Sequence, residues 1–111
     1  MNYKDITKVA VNALENIKGE NIVVIDTSHK SPIFSTIIVC SGNSNRQVSA
    51  LAHSVSEEFK LNHIDIIGTE GERSGEWVLV DSGDVVVHIM LPHVRHYYDL
   101  ETLWDDKNYT K

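Results

Sequence analysis

The 111-residue chain has a single cysteine and no long run of apolar residues. Cys40 cannot form an internal disulfide, and its apolar neighbours favour a reduced thiol in the cytoplasm. No apolar run approaches the about 20 residues that a membrane span needs. The N-terminus also lacks the apolar core of a secretory signal. We therefore expect a cytoplasmic protein that folds without a disulfide.

Positive charge is scarce as well. Ten Lys and Arg residues stand against sixteen Asp and Glu residues, which gives a formal net charge of −6. The basic residues are scattered along the chain, whereas binding to a phosphate backbone depends on clustered Lys and Arg. Direct nucleic-acid binding is therefore disfavoured, but an acidic surface can attract a basic partner protein.

What the chain does contain is enough apolar material for one core. The hydrophobic fraction is 41%, which is too high for a disordered segment. At this length we expect one domain over residues 1–111. Apolar residues spaced three or four apart predict helices over residues 4–18, 45–60 and 93–104. Apolar runs between turn residues predict strands over residues 22–26, 34–40, 63–68, 77–81 and 84–90.

This order of elements predicts an α/β or α+β fold with a mixed five-stranded sheet and three helices. Several of its strands are apolar on both faces. In the run from Val85 to Met90, for example, both alternating sets are largely apolar, and such a strand needs cover on both faces. Two alternatives stay open: either surplus apolar surface meets a second chain, or the three helices cover a compact monomer.

An acidic stretch around Trp77 is the first candidate site. Six carboxylates and only one cation, Arg73, lie between residues 65 and 84. An aromatic residue among acids suits docking to a basic protein, because a buried Trp often anchors an interface. The alternative is that Trp77 packs in the core and the acids form a solvated rim.

Two groups of residues are candidate metal sites. Asp81 and Asp84 flank a predicted hairpin turn at Ser82-Gly83, and paired carboxylates can hold Mg²⁺. Asp beside Gly is, however, ordinary turn chemistry. His88, His93 and His96 lie close in sequence but lack the spacing of a zinc site. We expect no metal and no cofactor.

The turn Gly42-Asn43-Ser44 precedes a predicted helix, where backbone amides can bind phosphate. A capping box formed by Ser44 and Gln47 explains the same residues. Neither Ser44 nor Cys40 has the partners of a catalytic triad. The residues alone predict an acidic α/β domain that binds a partner.

Six stretches, in their order and spacing, resemble the ribosomal silencing factor family (RsfS, also called Iojap). The resemblance runs from about residue 5 to 105. The stretches are residues 21–26, 41–47, 70–72, 76–81, 83–88 and 95–104. One departure from the family pattern is Ser35-Thr36 at the entry of the second strand.

The resemblance implies a nucleotidyltransferase-like fold without the catalytic metal pair, frequent homodimers and no enzymatic activity. Family members bind the large ribosomal subunit through its basic ribosomal protein fourteen. They block subunit joining and repress translation, notably under nutrient limitation. Carried over by motif, the partner-binding residues are Glu70, Trp77, Asp81, Asp84, His88, Arg95 and Tyr98.

Three other functions stay open. One is a general interaction module with no ribosomal role. The same docking would serve a factor that assists assembly of the large subunit. An active nucleotidyltransferase would need an Asp pair on the strand after the Gly-Ser turn to hold two metal ions. The segment 63–68 offers Asp65 alone.

Overall fold

The computed structural model describes residues 2–104, and within them the chain forms four helices and five strands. In chain order they are α1 Tyr3–Asn16, β1 Glu20–Asp26, β2 Thr36–Ser41, α2 Asn45–Leu61, β3 Gly68–Glu70, β4 Trp77–Asp81, β5 Val85–Met90, α3 Pro92–Tyr98 and α4 Leu100–Trp104.

The strands form one mixed sheet in the order β1-β2-β5-β4-β3. β2 and β5 are parallel, and the other three pairings are antiparallel. A mixed five-stranded sheet is therefore confirmed. At its centre every residue of β2 and β5 is buried, because both faces of these two strands are covered.

Helices α1 and α2 cover one face of the sheet, which we call the first face. Leu14, Leu51 and Phe59 from these helices are fully buried against alternate residues of the central strands, such as Ile38 and Ile89. Burying one side chain of this size stabilises the fold by roughly 1.5–3 kcal/mol. The larger of the two apolar cores lies here.

The opposite face, which we call the second face, has a smaller cover. Ile37, Val39 and Met90 are buried on it. The residues packed against them are only partly buried, and they come from the loop before β2, from β4 and from the two C-terminal helices: Phe34, Trp77, Val94, Leu100 and Trp104. The apolar character of both strand faces thus corresponds to cover on both sides, with the second cover incomplete.

Two predicted elements are wrong. The helix predicted over residues 93–104 is two helices, because Asp99 adopts a left-handed conformation (φ 48°, ψ 55°) and ends α3. The strand predicted over residues 63–68 is mostly coil. Ile64 and Ile66 pack on the first-face core from this coil, so apolar alternation there reflects packing and not pairing. The third strand begins only at Gly68 and extends into the segment expected to be a loop.

The capping of α2 is close to the prediction. The Ser44 hydroxyl accepts a hydrogen bond from the Gln47 amide at 3.1 Å. The Gln47 side chain accepts from the amide of Asn43 at 2.7 Å, one residue earlier than in a capping box. It also donates to the Ile17 and Lys18 carbonyls at 3.3 Å each, so it joins the start of α2 to the end of α1.

Gly71 lies where the chain passes close to the backbone of β4. Its φ is +85°, and a Cβ there would lie 1.9 Å from the Trp77 carbonyl oxygen. We expect Gly71→Ala to lower the free energy of unfolding by roughly 2–4 kcal/mol in urea denaturation, since both strain and a backbone clash follow. Gly68→Ala is the matched control, because nothing lies within 4 Å of its added Cβ. Equal stability of the two variants would contradict this account.

Candidate partner-binding site

The register of the sheet gathers side chains of three strands on the second face. Alternate residues of β4, namely Trp77, Leu79 and Asp81, point to the same face as Met90. Leu79 lies opposite Glu70 on β3 and opposite His88 on β5. Together with Tyr98 from α3 these residues form what we call the Trp77 surface: Glu70, Trp77, Leu79, Asp81, His88 and Tyr98.

Trp77 belongs both to the core and to the surface. It packs against the buried cluster of the second face and is itself only partly buried. The Tyr98 ring lies 4.8 Å from the Trp77 ring, centroid to centroid, and Tyr98 is 54% exposed. The Trp77 indole therefore packs against the core and is also partly exposed, so both alternatives drawn from the sequence, core packing and an exposed anchor, apply to it.

His88 lies beneath this aromatic pair and is 8% exposed. Its Nδ1 accepts a hydrogen bond from Trp77 Nε1 at 3.1 Å. An imidazole that accepts at Nδ1 is neutral and carries its proton on Nε2. Burial lowers the pKa of His88 to about 4, against the opposing effect of the Asp81 carboxylate.

The acidic residues lie around the edge of this surface. Glu70 is exposed at the end of β3. Asp81 is half-buried, and its carboxylate accepts from the Gly83 amide at 2.8 Å. Asp84 is exposed in the turn, where its backbone carbonyl accepts from the amides of Ser35 and Thr36 at 2.7 and 3.1 Å. The hairpin turn is centred on Gly83-Asp84, one residue later than predicted, because the Ser82 amide donates to the Val85 carbonyl.

Arg95 lies apart from the Trp77 surface. It is 9% exposed and donates to both carboxylate oxygens of Glu101, at 3.0 and 3.1 Å. A third bond, of 2.9 Å, goes to the Ser41 hydroxyl at the end of β2. These hydrogen bonds link α3 to α4 and both helices to the sheet.

The structure thus brings together five of the seven residues carried over by motif. Asp84 lies in the adjoining turn, and Arg95 belongs to the scaffold.

Two contributors were missed by the sequence analysis. Leu79 occupies the middle of the Trp77 surface, and its alternation with Val78 and Val80 was the available signal. Asn45 donates to the Ser74 carbonyl at 2.7 Å, which holds the loop before Trp77 against the start of α2. Nothing in the sequence links positions 29 residues apart.

Among residues 2–104 no group of three or more His, Cys, Asp and Glu side chains is placed to hold a metal ion. Cys40 is fully buried, and burial raises its pKa to about 11, so the thiol is unsuited to nucleophilic attack. Asp65, the one carboxylate available to the nucleotidyltransferase alternative, is exposed in the coil before β3. None of the helices in the described part of the chain is both long and apolar enough to span a membrane.

Comparison with known proteins places the chain in a family. A family model described as ribosomal silencing factor during starvation matches residues 1–111. The ribosomal silencing factor RsfS of Chromobacterium violaceum is 57% identical over 104 residues, which cover 94% of this chain and 85% of that protein. The chain belongs to the ribosomal silencing factor family.

Two further comparisons agree with this assignment. A crystal structure of a Chromobacterium violaceum protein is similar with a TM-score of 0.92 and 57% identity, covering 94% of this chain and 87% of that chain. A Mus musculus relative is named mitochondrial assembly of ribosomal large subunit protein 1. It is 30% identical over 97 residues, which cover 85% of this chain and 42% of that protein. The resemblance to the silencing factor family is thus confirmed.

The pKa of His88 has a consequence for stability. The folded pKa of about 4 lies below the ordinary value of 6.5, so the unfolded chain binds more protons between these values. The free energy of unfolding should therefore be highest above pH 6.5 and fall by up to about 3 kcal/mol as the pH drops towards 4. Urea denaturation across this range measures the loss. His88→Asn keeps an acceptor for Trp77 but cannot titrate, so a decline of the same size in this variant would exclude His88 as its source.

The Arg95 ion pair gives a separate prediction. Arg95→Lys keeps the charge but loses the bidentate geometry, and we expect it to lower the free energy of unfolding by about 1–3 kcal/mol. Thermal or urea denaturation measures the change. Arg73→Lys, at an exposed position, serves as the control. Wild-type stability of Arg95→Lys would show that the pair does not hold the C-terminal helices.

Proposed function

We propose that this protein binds the large ribosomal subunit through the Trp77 surface and thereby prevents the small subunit from joining. The observation that carries the proposal is the partly exposed Trp77, which packs against the tilted Tyr98 ring and is bordered by Glu70 and Asp81. Aromatic residues held in a partly buried position and surrounded by polar groups are typical of the energetic centre of an interface.

The charge of the molecule favours a protein partner over RNA. The chain carries a net charge of −6, and the border of the Trp77 surface is acidic. Such a surface repels rRNA phosphates and is complementary in charge to a basic ribosomal protein. The attraction between the two also raises their association rate. Ribosomal protein fourteen, the basic partner implied by the family, fits this requirement.

The proposed silencing is steric and requires no covalent reaction. A bound factor that occupies part of the face where the subunits meet excludes the small subunit by its volume alone. The degree of silencing then depends on the affinity, in which every 1.4 kcal/mol changes occupancy about tenfold. We accordingly propose a regulator that acts in the cytoplasm without catalysis, metal or cofactor.

The half-exposed apolar residues of the second face also support a homodimer. Leu79 and Tyr98 present apolar surface that a second copy would cover. A dimer formed through the Trp77 surface would have to dissociate before docking.

Binding to purified large subunits tests the proposal. We expect Trp77→Ala to weaken binding by about 30-fold, equivalent to about 2 kcal/mol, as removal of an interface anchor does. Co-sedimentation across a range of protein concentrations measures the affinity. Leu61→Ala is the matched control, because Leu61 is an exposed apolar residue at the far end of α2.

Subunit joining is assayed in parallel, by the yield of joined ribosomes on sucrose gradients. Wild-type protein should lower the yield and Trp77→Ala should restore it. Full affinity of a folded Trp77→Ala variant would remove Trp77 from the interface. Binding without any effect on joining would argue against steric silencing.

A role in assembly of the large subunit is the second candidate. It is favoured by the name of the mouse relative, which refers to assembly of the mitochondrial large subunit. The two roles differ in what accumulates in cells without the protein. Loss of an assembly factor leaves immature large particles during growth, whereas loss of a silencing factor leaves an excess of joined ribosomes during starvation.

A further inference from the structure

We propose that His88 is a positioning residue: its Nδ1 holds the Trp77 indole in the orientation that the ribosomal partner meets, and His88 itself does not contact the partner. The inference rests on the proposed function and deepens it, since it assigns separate tasks to two residues of the same surface.

The geometry of the three rings supports this assignment. Trp77 and His88 are diagonal neighbours across β4 and β5, because Trp77 lies opposite Met90 and His88 lies opposite Leu79. The Trp77 and His88 ring centroids are 5.9 Å apart at an interplanar angle of 48°. Tyr98 packs against Trp77 from α3 at 4.8 Å. The indole is therefore held by the sheet through His88 and by a helix through Tyr98.

The hydrogen bond sets the direction of the indole. Trp has a single donor, Nε1–H, and His88 Nδ1 accepts it at 3.1 Å. With its donor satisfied inside the protein, the indole offers a partner its apolar ring and not a polar edge. A ring already fixed in one rotamer also loses less conformational entropy on binding.

His88 is much more deeply buried than Tyr98, so the two residues cannot meet a partner in the same way. His88 is 8% exposed whereas Tyr98 is 54% exposed, so a partner resting on this face meets Tyr98 and the outer edge of Trp77 first. Any effect of His88 on affinity must then pass through the indole.

The surroundings of His88 keep its Nδ1 available as an acceptor. Val39 lies beside it on β2 and Leu79 on β4, and both are apolar. Asp81 is the charged group that acts on the imidazole. Glu70 lies beyond Leu79 in the same row, and the Tyr98 ring packs against Trp77. Protonation of His88 would place a second donor opposite the indole N–H and open the bond.

The test uses the full chain carrying Trp104→Phe, in which Trp77 is the one remaining indole, since the chain has two Trp residues. His88→Leu removes the acceptor. His88→Asn restores it, because Asn Oδ1 occupies the place of Nδ1. His53→Leu, at an exposed position on α2, controls for loss of a histidine elsewhere.

The first readout is Trp77 fluorescence of the isolated protein. We expect His88→Leu to shift the emission maximum and increase its width, and His88→Asn and His53→Leu to retain the emission of the parent. On acidification the parent should show a quenching transition centred near pH 4, the pKa of folded His88, since a protonated imidazole quenches a neighbouring indole, and His88→Asn should not. Unchanged emission in His88→Leu would overturn the proposal.

The second readout is affinity for purified large subunits at pH 7.5. We expect His88→Leu to bind about tenfold more weakly, the effect of one lost hydrogen bond, and His88→Asn to recover to within about threefold of the parent. Equal weakening in both variants would assign His88 a direct partner contact and overturn the proposal. If the parent does not bind large subunits at all, the proposed function fails, and the fluorescence readout still decides whether His88 orients Trp77.

Discussion

The central parallel strands β2 and β5 must be buried on both faces, and the rest of the molecule depends on this constraint. All their residues are buried, and each carries large apolar side chains on alternate sides. On the first face two long helices provide the cover. On the second face only seven- and five-residue helices are available, and single aromatic side chains complete the cover.

This unequal cover explains why the candidate site lies where it does. Trp77 covers part of the second-face core from β4, and it stays partly exposed with only the Tyr98 ring of α3 described as packing against its outer side. Leu79 and Tyr98 are also left partly exposed. Carboxylates at the ends of β3 and β4 surround these apolar groups. A requirement of folding thus produces a rigid, acidic and partly apolar surface of the kind that a steric regulator needs.

A few polar contacts keep this thin cover in place. The Arg95–Glu101 pair joins both short helices to the end of β2. Lys30 donates to the Trp104 carbonyl at 2.7 Å, and the rings of Phe34 and Trp104 meet edge to face at 5.3 Å. Neither short helix is long enough to be stable by itself. Their positions therefore depend on contacts between residues that are distant in sequence.

The sequence alone was sufficient for the type and order of most elements, because apolar periodicity and turn residues are local signals. It also indicated the acidic stretch around Trp77, the capping of α2 and the family. It was insufficient for the break at Asp99 and for the true start of β3, since in both places tertiary contacts override the local pattern. Only the folded chain decided that Glu70, Trp77, His88 and Tyr98 share one surface while Arg95 serves the scaffold, because strand register and helix docking determine which distant side chains meet.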